Sequence, residues 1–340
     1  MTRQLVPLAA LAALTLALAD APEARSPAGD LLAPAASAAA EMPRLHSLIV
    51  SRAGEVVLER YYRGYRATRL ANVKSVSKSV VSALVGIAID RGYLSGPTQP
   101  IGEFFPAVLQ GEAHRDRRAI TIEDLLTMRS GLESTSSRNY GAWVQSPNWV
   151  RYALTRRLLT RPGTEMEYST GNTHVLSAIL TRATGESTWA FANRVLARPL
   201  GFTLAKWPQD PQGVYFGGND MLLTPRQMLA FGEMYLRGGR VGATQVVPEA
   251  WVKASFVPRG RSGWSRREYG YGWWMRELGG EQTYYAWGYG GQFIFVVPSL
   301  DLVVVTTSST SADAERRGHR ESIYDLVERQ IIPTFRTAVP

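Results

Sequence analysis

Cysteine is absent from this sequence of 340 residues. Its absence excludes disulfide bridges, thiol catalysis, zinc–thiolate sites and a lipoprotein anchor on an N-terminal cysteine. Histidine is scarce as well. Its four positions show neither an HExxH pattern nor any other metal-ligand spacing: His46, His114, His174 and His319. We therefore expect a protein that needs neither a metal nor another cofactor.

Lysine is the second scarcity, and arginine supplies nearly all of the basic charge behind the net charge of +9. The only lysines are Lys74, Lys78, Lys206 and Lys253. The arginines form short clusters at 115–118, 156–157 and 316–320, mixed with acidic or apolar residues, and not one stripe. Because a polyanion site needs a basic patch or stripe, we expect a solvated arginine-rich surface and no nucleic-acid partner.

The first 21 residues have the pattern of a signal peptide. A short positive start precedes an apolar run from Leu5 to Ala19, and small residues suited to cleavage follow. The run is short for a membrane span and contains Pro7. We expect export to the periplasm or the medium with no stable membrane span after cleavage; an uncleaved anchor is the alternative. Residues 22–40, rich in Ala, Pro and Ser, are typical of a flexible leader. Residues 41–340 are expected to form one folded unit with two subdomains.

Periodicity predicts an α+β fold. The predicted strands lie near both ends of the chain, at 45–50, 55–61, 284–286, 293–297 and 302–307. The 3.6-residue period predicts helices between them, at 75–92, 121–126, 148–159, 172–183, 187–197 and 225–237, and a closing helix at 320–334. This order indicates an antiparallel sheet built from both termini and flanked by helices, plus a mainly helical subdomain.

Ser75 is the candidate nucleophile. No GxSxG motif is present and no histidine lies in a context suited to a base, but Lys78 follows three residues later on the same face of the predicted helix. Backbone N–H groups at a helix start can stabilise an oxyanion. A lysine in an apolar setting loses its proton more easily, because burial disfavours the charged form. Ordinary packing at a helix start is the competing interpretation.

Two later segments could complete a site. Tyr168 follows a Pro162-Gly163 turn and precedes a predicted helix. From there its hydroxyl could share a proton with Lys78, or it could be a partly buried tyrosine with one ordinary hydrogen bond. The run GYGGQ at 288–292 starts a predicted strand. Its glycines would let a substrate approach a backbone N–H, although a plain glycine-rich turn also explains them.

The segment from Leu132 to Pro147 has few apolar periods and carries Tyr140 and Trp143 near its end. This pattern predicts a substrate-facing loop, with Tyr140 and Trp143 as pocket residues. Aromatic residues of this kind are as often packed in a core, and that alternative stays open.

Six segments, taken in order, resemble the serine β-lactamase and penicillin-binding-protein superfamily. They are KSVSKSVVSALVGIAIDRGYL from Lys74, ITIEDLLTMRSGL from Ile120, RPGTEMEYSTGNTHVLSAIL from Arg161, ARPLGF from Ala197, LLTPRQML from Leu222 and YAWGYGGQFIFVVPSLDLVVV from Tyr285. Within this superfamily the chain is similar to the branch of class C β-lactamases, DD-peptidases, esterases and 6-aminohexanoate-dimer hydrolases.

The resemblance implies a β-lactamase/transpeptidase-like fold with the active site between the sheet and the helical region. It implies that Ser75 forms an acyl-enzyme and that Lys78 and Tyr168 act together as general base. It also implies an oxyanion hole made by the backbone N–H groups of Ser75 and Tyr289, or of Gly288 if the third motif is shifted by one residue.

Two motifs depart from the β-lactamase pattern. The second usually reads Tyr-x-Asn and is here Tyr168-Ser169-Thr170; the third usually reads Lys/His-Thr/Ser-Gly and is here Ala286-Trp287-Gly288. The bulky Trp287 therefore predicts a more apolar pocket, and Thr170 is a further candidate pocket residue. We expect a serine hydrolase of small ester, amide or peptide-like substrates, similar to carboxylesterases or 6-aminohexanoate-oligomer hydrolases. The alternatives are a β-lactamase or D-alanyl-D-alanine carboxypeptidase, and a non-catalytic peptidoglycan- or β-lactam-binding protein.

Overall fold

A computed structural model describes residues 31–336 of the chain. The predicted signal peptide, residues 1–21, lies outside the described residues, as do positions 22–30 of the predicted leader. The helices, α1 to α12, are Ala33–Glu41, Ser77–Asp90, Arg115–Arg118, Ile122–Leu126, Tyr140–Val144, Trp149–Leu154, Thr170–Thr184, Thr188–Ala192, Pro225–Leu236, Glu249–Ser255, His319–Leu326 and Ile332–Arg336. The strands, β1 to β12, are Leu45–Arg52, Glu55–Tyr61, Ala71–Asn72, Leu222–Leu223, Arg240–Val241, Thr244–Gln245, Gly260–Arg261, Glu268–Tyr269, Trp274–Leu278, Glu281–Gly288, Gln292–Val297 and Leu302–Ser308. Two π-helical segments, Asn193–Ala197 and Val327–Ile331, continue α8 and α11.

The main sheet has eight antiparallel strands in the order β2-β1-β12-β11-β10-β9-β8-β7. Because β1 pairs with β12, for example through Ile49 and Val305, the two ends of the chain meet inside the sheet. A hairpin joins β1 to β2, and its turn residues Ala53 and Gly54 both have positive φ, as a tight two-residue hairpin turn requires. The predicted sheet built from both termini is therefore confirmed.

Each face of the sheet covers its own apolar core. Val303 and Val305 of β12 join the core shared with α2, α7 and α9, whereas Leu302 and Val304 join the core shared with α1 and α11. This alternation follows from the two-residue period of a strand, which points successive side chains to opposite faces. Both faces of the central strands are therefore buried.

Helix α1 corrects one prediction. Residues 22–40 were expected to form a flexible leader, but from Ala33 the chain is helical, and Leu32, Ala35 and Ala39 are buried against the sheet. Alanine is the strongest helix former, and its small side chain lets the helix approach the sheet closely. The Ala-rich composition that indicated a leader therefore encodes a packed helix here.

The helical region is built around α2 and α7, which pack against each other. Side chains of α2 are buried from Ser77 to Ala88, and those of α7 from Thr170 to Leu180. The predicted helix at 148–159 ends at Leu154 instead, because Leu158 forms a bridge with Leu132. Within residues 31–336 no helix is both long and apolar enough to cross a membrane.

Candidate active site

The turn that precedes α2 carries Ser75. Residues Lys74–Val76 form a single 3₁₀ turn, and Lys74 has a φ of +50°, which is unfavourable for a residue other than glycine. Hydrogen bonds hold this backbone on both sides. The Lys74 N–H donates to Asn72 Oδ1 at 3.1 Å, and Ser77 Oγ donates to the Lys74 carbonyl at 2.6 Å. The strained turn thus fixes Ser75 at the border of a cavity.

Lys78 lies one turn into α2 and is buried. Its Nζ is 3.0 Å from Ser75 Oγ, 3.3 Å from Thr170 Oγ1 and 2.5 Å from the Gly218 carbonyl. Burial lowers the pKa of Lys78 to about 7, and the charge of Asp220 opposes that shift. A neutral amine has two N–H donors, which match Thr170 and Gly218, and one lone pair, which can face Ser75. Lys78 can therefore accept the Ser75 proton near neutral pH.

Tyr168 approaches the same pair from the other side. Lys78 Nζ is 5.0 Å from the centre of the Tyr168 ring, and that ring stacks on Trp274 at 5.6 Å between centroids. Burial raises the pKa of Tyr168 to about 12, and a hydrogen bond with Ser75 opposes the shift. Because its hydroxyl keeps its proton at neutral pH, Tyr168 is suited to donate or relay a proton.

A run of small hydroxyl residues positions the second motif. Ser134 Oγ donates to the Tyr168 carbonyl at 2.6 Å, and the Thr170 N–H donates to Ser136 Oγ at 2.9 Å. Thr170 stands where β-lactamases carry asparagine. Its hydroxyl contacts both Ser136 and Lys78.

The third motif lies at the end of β10 and approaches the turn that carries Ser75. A β-carbon at Gly288 would lie 2.2 Å from the Val73 carbonyl oxygen, so only glycine lets the strand approach this closely. Gln292 has a structural role here. Its side-chain amide donates to the Ser308 carbonyl at 2.7 Å and accepts from the Ser308 N–H at 3.1 Å, which joins β11 to β12. Tyr289 borders the cavity, and Gly288 is buried behind it.

One cavity of about 1080 Å³ connects these elements. Its lining residues are Lys74, Ser75, Glu133, Ser134, Ser136, Ser137, Arg138, Asn139, Tyr140, Leu159, Met166, Glu167, Tyr168, Thr170, Asn219, Ser262, Gly263, Trp264, Trp287, Tyr289 and Thr310. Ser75 and Tyr168 both border it, while the Lys78 amine lies behind Ser75. A small substrate placed here would have its reacting carbonyl beside the serine.

The β-lactamase family model matches residues 38–328. The chain belongs to the β-lactamase family. It is accordingly a hydrolase with a β-lactamase/transpeptidase-like fold, and both the predicted family and the predicted fold class are confirmed.

Proteins similar to this chain differ in their named activities. A 6-aminohexanoate-dimer hydrolase from Paenarthrobacter ureafaciens is 27% identical over 302 residues, which cover 80% of this chain and 74% of the relative. The solved structure of EstCE1, a hydrolase with promiscuous acyltransferase activity, has a TM-score of 0.71 at 18% identity and covers 88% of this chain and 100% of its own. A penicillin-binding protein homologue from Pyrococcus abyssi has a TM-score of 0.68 at 17% identity, with coverages of 92% and 81%.

The candidate site around this cavity brings together most of the residues predicted from the sequence. Ser75 and Lys78 are within hydrogen-bonding distance, Tyr168 lies beside them, and the predicted pocket residues Tyr140, Thr170 and Trp287 line the cavity. The prediction for Trp143 is wrong. Its side chain is fully buried and its ring packs against Trp149, His174 and Phe216. Burial of so large an apolar side chain stabilises the core and removes Trp143 from the cavity.

Sequence reasoning missed the segment from Gly217 to Asp220. Gly218 supplies a backbone carbonyl to Lys78, Asn219 donates to the Tyr140 hydroxyl at 3.0 Å, and Asp220 is 2.7 Å from Lys74 Nζ. A carbonyl leaves no side-chain signature, but the Gly-Gly-Asn-Asp run itself was a turn pattern that could have directed attention here. Trp264, in the loop between β7 and β8, was also missed.

Proposed function

We propose that this protein hydrolyses a small ester or amide through an acyl-enzyme on Ser75, with Lys78 as the proton acceptor and Tyr168 as a proton relay. The observation that carries the proposal is the buried Lys78 amine, whose pKa lies near 7, placed 3.0 Å from Ser75 Oγ. A general base works best when its pKa lies near the working pH.

Acylation would begin when Ser75 Oγ attacks the substrate carbonyl and transfers its proton to Lys78 Nζ. Negative charge then develops on the carbonyl oxygen. The backbone N–H groups of Ser75 and Tyr289 are the proposed donors to that oxygen, because both residues border the cavity. Tyr168 would protonate the departing alcohol or amine, and Lys78 would restore the Tyr168 proton.

Deacylation would reverse these roles with water as the nucleophile. Water loses one proton to the Lys78–Tyr168 pair and adds to the acyl carbon, and Ser75 leaves with a proton from the same pair. The named activities of two relatives support this reaction class: one is a 6-aminohexanoate-dimer hydrolase and another is a hydrolase with acyltransferase activity.

The deciding experiment measures turnover of p-nitrophenyl butyrate by the wild type and by Ser75→Ala. We expect the variant to lose activity by about 10⁴-fold or more, as when other catalytic serines are removed. Ser322→Ala, at an exposed serine on α11, is the matched control and should retain full activity. A fluorophosphonate probe should label the wild type at Ser75, and unchanged turnover in Ser75→Ala would refute the proposal.

The Lys78 and Tyr168 roles need their own variants. Lys78→Met should stop acylation, whereas Tyr168→Phe should slow release of a poor leaving group more than of p-nitrophenol, since a good leaving group needs no proton. Lys253→Met, at an exposed lysine, controls for loss of one positive charge. Equal losses for good and poor leaving groups in Tyr168→Phe would argue against the relay.

The family match makes β-lactam hydrolysis the second candidate. Ala286 and Trp287 stand where β-lactamases carry the groups that bind the substrate carboxylate, so we expect slow turnover of nitrocefin at most. Rapid, saturable turnover that depends on Ser75 would establish this second candidate instead.

A further inference from the structure

Three large apolar side chains are exposed around the cavity mouth. Leu159, Trp264 and Tyr289 are 46%, 56% and 38% exposed, and all three border the cavity. They come from separate segments: Leu159 follows α6, Trp264 lies in the β7–β8 loop, and Tyr289 follows β10. Single exposed apolar residues are ordinary, but three around one opening form a patch of the kind that binds an apolar ligand.

Trp264 is also the outer end of a row of four rings, here called the aromatic shelf: Trp264, Trp287, Trp274 and Tyr168. Successive ring centroids along this row are 5.7, 5.9 and 5.6 Å apart. Trp264, Trp287 and Tyr168 border the cavity, and Trp274 is buried behind them. The aromatic shelf therefore extends from the candidate catalytic tyrosine to solvent.

The charged groups of the cavity offer little to an anionic substrate. Lys74 is paired with Asp220 at 2.7 Å, and Arg138 lies 3.9 Å from Glu133 and is 86% exposed. Burial raises the pKa of Glu167, and the positive charge of Arg138 opposes that shift. An anion in the cavity would therefore meet paired or solvated cations and a neighbouring carboxylate.

Two arginines lie close to the shelf region but do not border the cavity. The guanidinium of Arg320 is 5.1 Å from the centre of the Trp287 ring and is paired with Glu321 at 2.6 Å. That of Arg316 is 5.1 Å from the centre of the Tyr289 ring. Cation–π contacts of this kind hold each arginine against its ring. Both guanidinium groups therefore already have partners within the protein.

We propose that the substrate is an uncharged ester or amide whose alkyl or aryl group lies on the aromatic shelf, and that Trp264 sets this preference. The proposal rests on the proposed function for the bond that is cleaved. The shelf supplies apolar contact area, and removal of one ring from it should weaken binding of the longer substrates in proportion to the area lost.

The test compares three p-nitrophenyl esters: the acetate, the hexanoate and the anionic monoglutarate. We expect the wild type to prefer the hexanoate to both others. Trp264→Ala should lower kcat/KM for the hexanoate about tenfold, the loss for about 50 Å² of apolar contact, and for the acetate less than about twofold. Trp264→Phe should restore most of the loss, and Val257→Ala, at an exposed apolar residue away from the cavity, should change nothing. Ethyl and benzyl acetate test the alcohol side in the same way.

An unchanged preference in Trp264→Ala on both the acyl and the alcohol side would overturn the proposal, as would wild-type preference for the monoglutarate. Calorimetric binding of the hexanoate and the acetate to Ser75→Ala, with and without Trp264→Ala, separates this proposal from the proposed function. If the affinity depends on chain length and on Trp264 but the wild type hydrolyses no ester, the proposed function is refuted and the proposal for the aromatic shelf stands. If hydrolysis depends on Ser75 but not on chain length, the proposal for the aromatic shelf is refuted and the proposed function stands.

Discussion

Two groups of aromatic rings lie near the cavity, and their surroundings differ. The buried cluster contains Trp143, Trp149, His174 and Phe216, whose ring centroids are 5.0 to 5.8 Å apart. The aromatic shelf has similar spacings but ends at Trp264, which is 56% exposed. Composition therefore does not distinguish the two groups, and only exposure shows which one can meet a substrate.

Each group also contacts a titratable pair, and the two pairs differ in hydrogen bonding. In the buried cluster, His174 Nε2 is 3.0 Å from Asp210 and its Nδ1 accepts from the Gly217 N–H at 3.4 Å. Both ring nitrogens are therefore occupied by the protein. On the shelf side, Lys78 Nζ is 3.0 Å from Ser75 Oγ, and Ser75 borders the cavity, where a substrate can reach it. The His174–Asp210 pair is enclosed by the protein, whereas the Lys78–Ser75 pair lies beside the cavity and is the pair that we propose exchanges protons with a substrate.

The largest expected effect is a difference in stability between variants of the buried cluster and variants of the aromatic shelf. Trp143→Ala removes a fully buried ring and should lower the free energy of unfolding by about 3–5 kcal/mol, the usual cost of such a cavity. Trp264→Ala removes a mostly exposed ring and should change it by less than about 0.5 kcal/mol. Urea denaturation followed by far-UV circular dichroism measures both variants.

Similar losses of stability in the two variants would contradict the distinction. Trp143→Phe serves as the matched control, because it keeps an aromatic ring in the cluster and loses only part of the indole, together with the hydrogen bond from the indole N–H to the Trp149 carbonyl, at 3.0 Å. It should therefore be much less destabilised than Trp143→Ala.

Much of the fold could be predicted, because it is encoded by local patterns. The Ala53-Gly54 hairpin, the Thr121 and Thr224 capping boxes and the continuous β-branched run of β12 all follow from residues close in sequence. Strands β7 to β9 were missed, since β7 and β8 have only two residues each and β9 follows a stretch in which aromatic residues are interspersed with glycine. Their strand conformation depends on pairing in turn: β9 pairs with β10, β8 with β9 and β7 with β8. No local pattern records these pairings.

The candidate site divides in the same way. Ser75 and Lys78 are three residues apart on one helix, so their proximity follows from helix geometry alone. The sequence could not show which of Trp143 and Trp264 borders the cavity. Trp143 lies in an apparent loop and is buried, whereas Trp264 lies among arginines and serines and borders the cavity. The Gly218 carbonyl contact depends on tertiary packing and has no side-chain signal.

A smaller effect should appear in the pH dependence. Lys78 must be neutral to accept a proton, so kcat/KM for an ester should rise with pH through about 7. The Asp220 charge favours the ammonium form and raises the pKa of Lys78. Asp220→Asn removes that charge, so the pKa should fall and the rise in activity should move to lower pH. Pre-steady-state acylation rates from pH 5 to 9 measure the shift.

Asp325→Asn is the matched control for this change, because Asp325 is exposed and pairs with Arg329 on the closing helical segment. It should leave the pH profile in place. A profile that moves to higher pH in Asp220→Asn, or that stays fixed, would show that Lys78 is not the group whose ionisation limits acylation.

The smallest effect concerns Tyr140, the residue that joins the buried cluster to the cavity. Its ring packs edge-on against Trp143 at 6.0 Å, and its hydroxyl accepts from Asn219 at 3.0 Å. Tyr140→Phe keeps the ring and loses the hydrogen bond, so the free energy of unfolding should fall by about 1 kcal/mol or less.

Activity in Tyr140→Phe should nevertheless fall by about twofold to fivefold, the equivalent of a loss of about 0.4–1 kcal/mol, because Asn219 adjoins the Gly218 carbonyl that contacts Lys78. The measurement is kcat/KM for an ester beside urea unfolding of the same preparation, with Tyr140→Ala as the variant that loses ring and hydroxyl together. A loss of stability in Tyr140→Phe as large as in Trp143→Ala would mean that the Tyr140 hydroxyl belongs to the core. Tyr140 would then have to be counted with the buried cluster and not with the cavity.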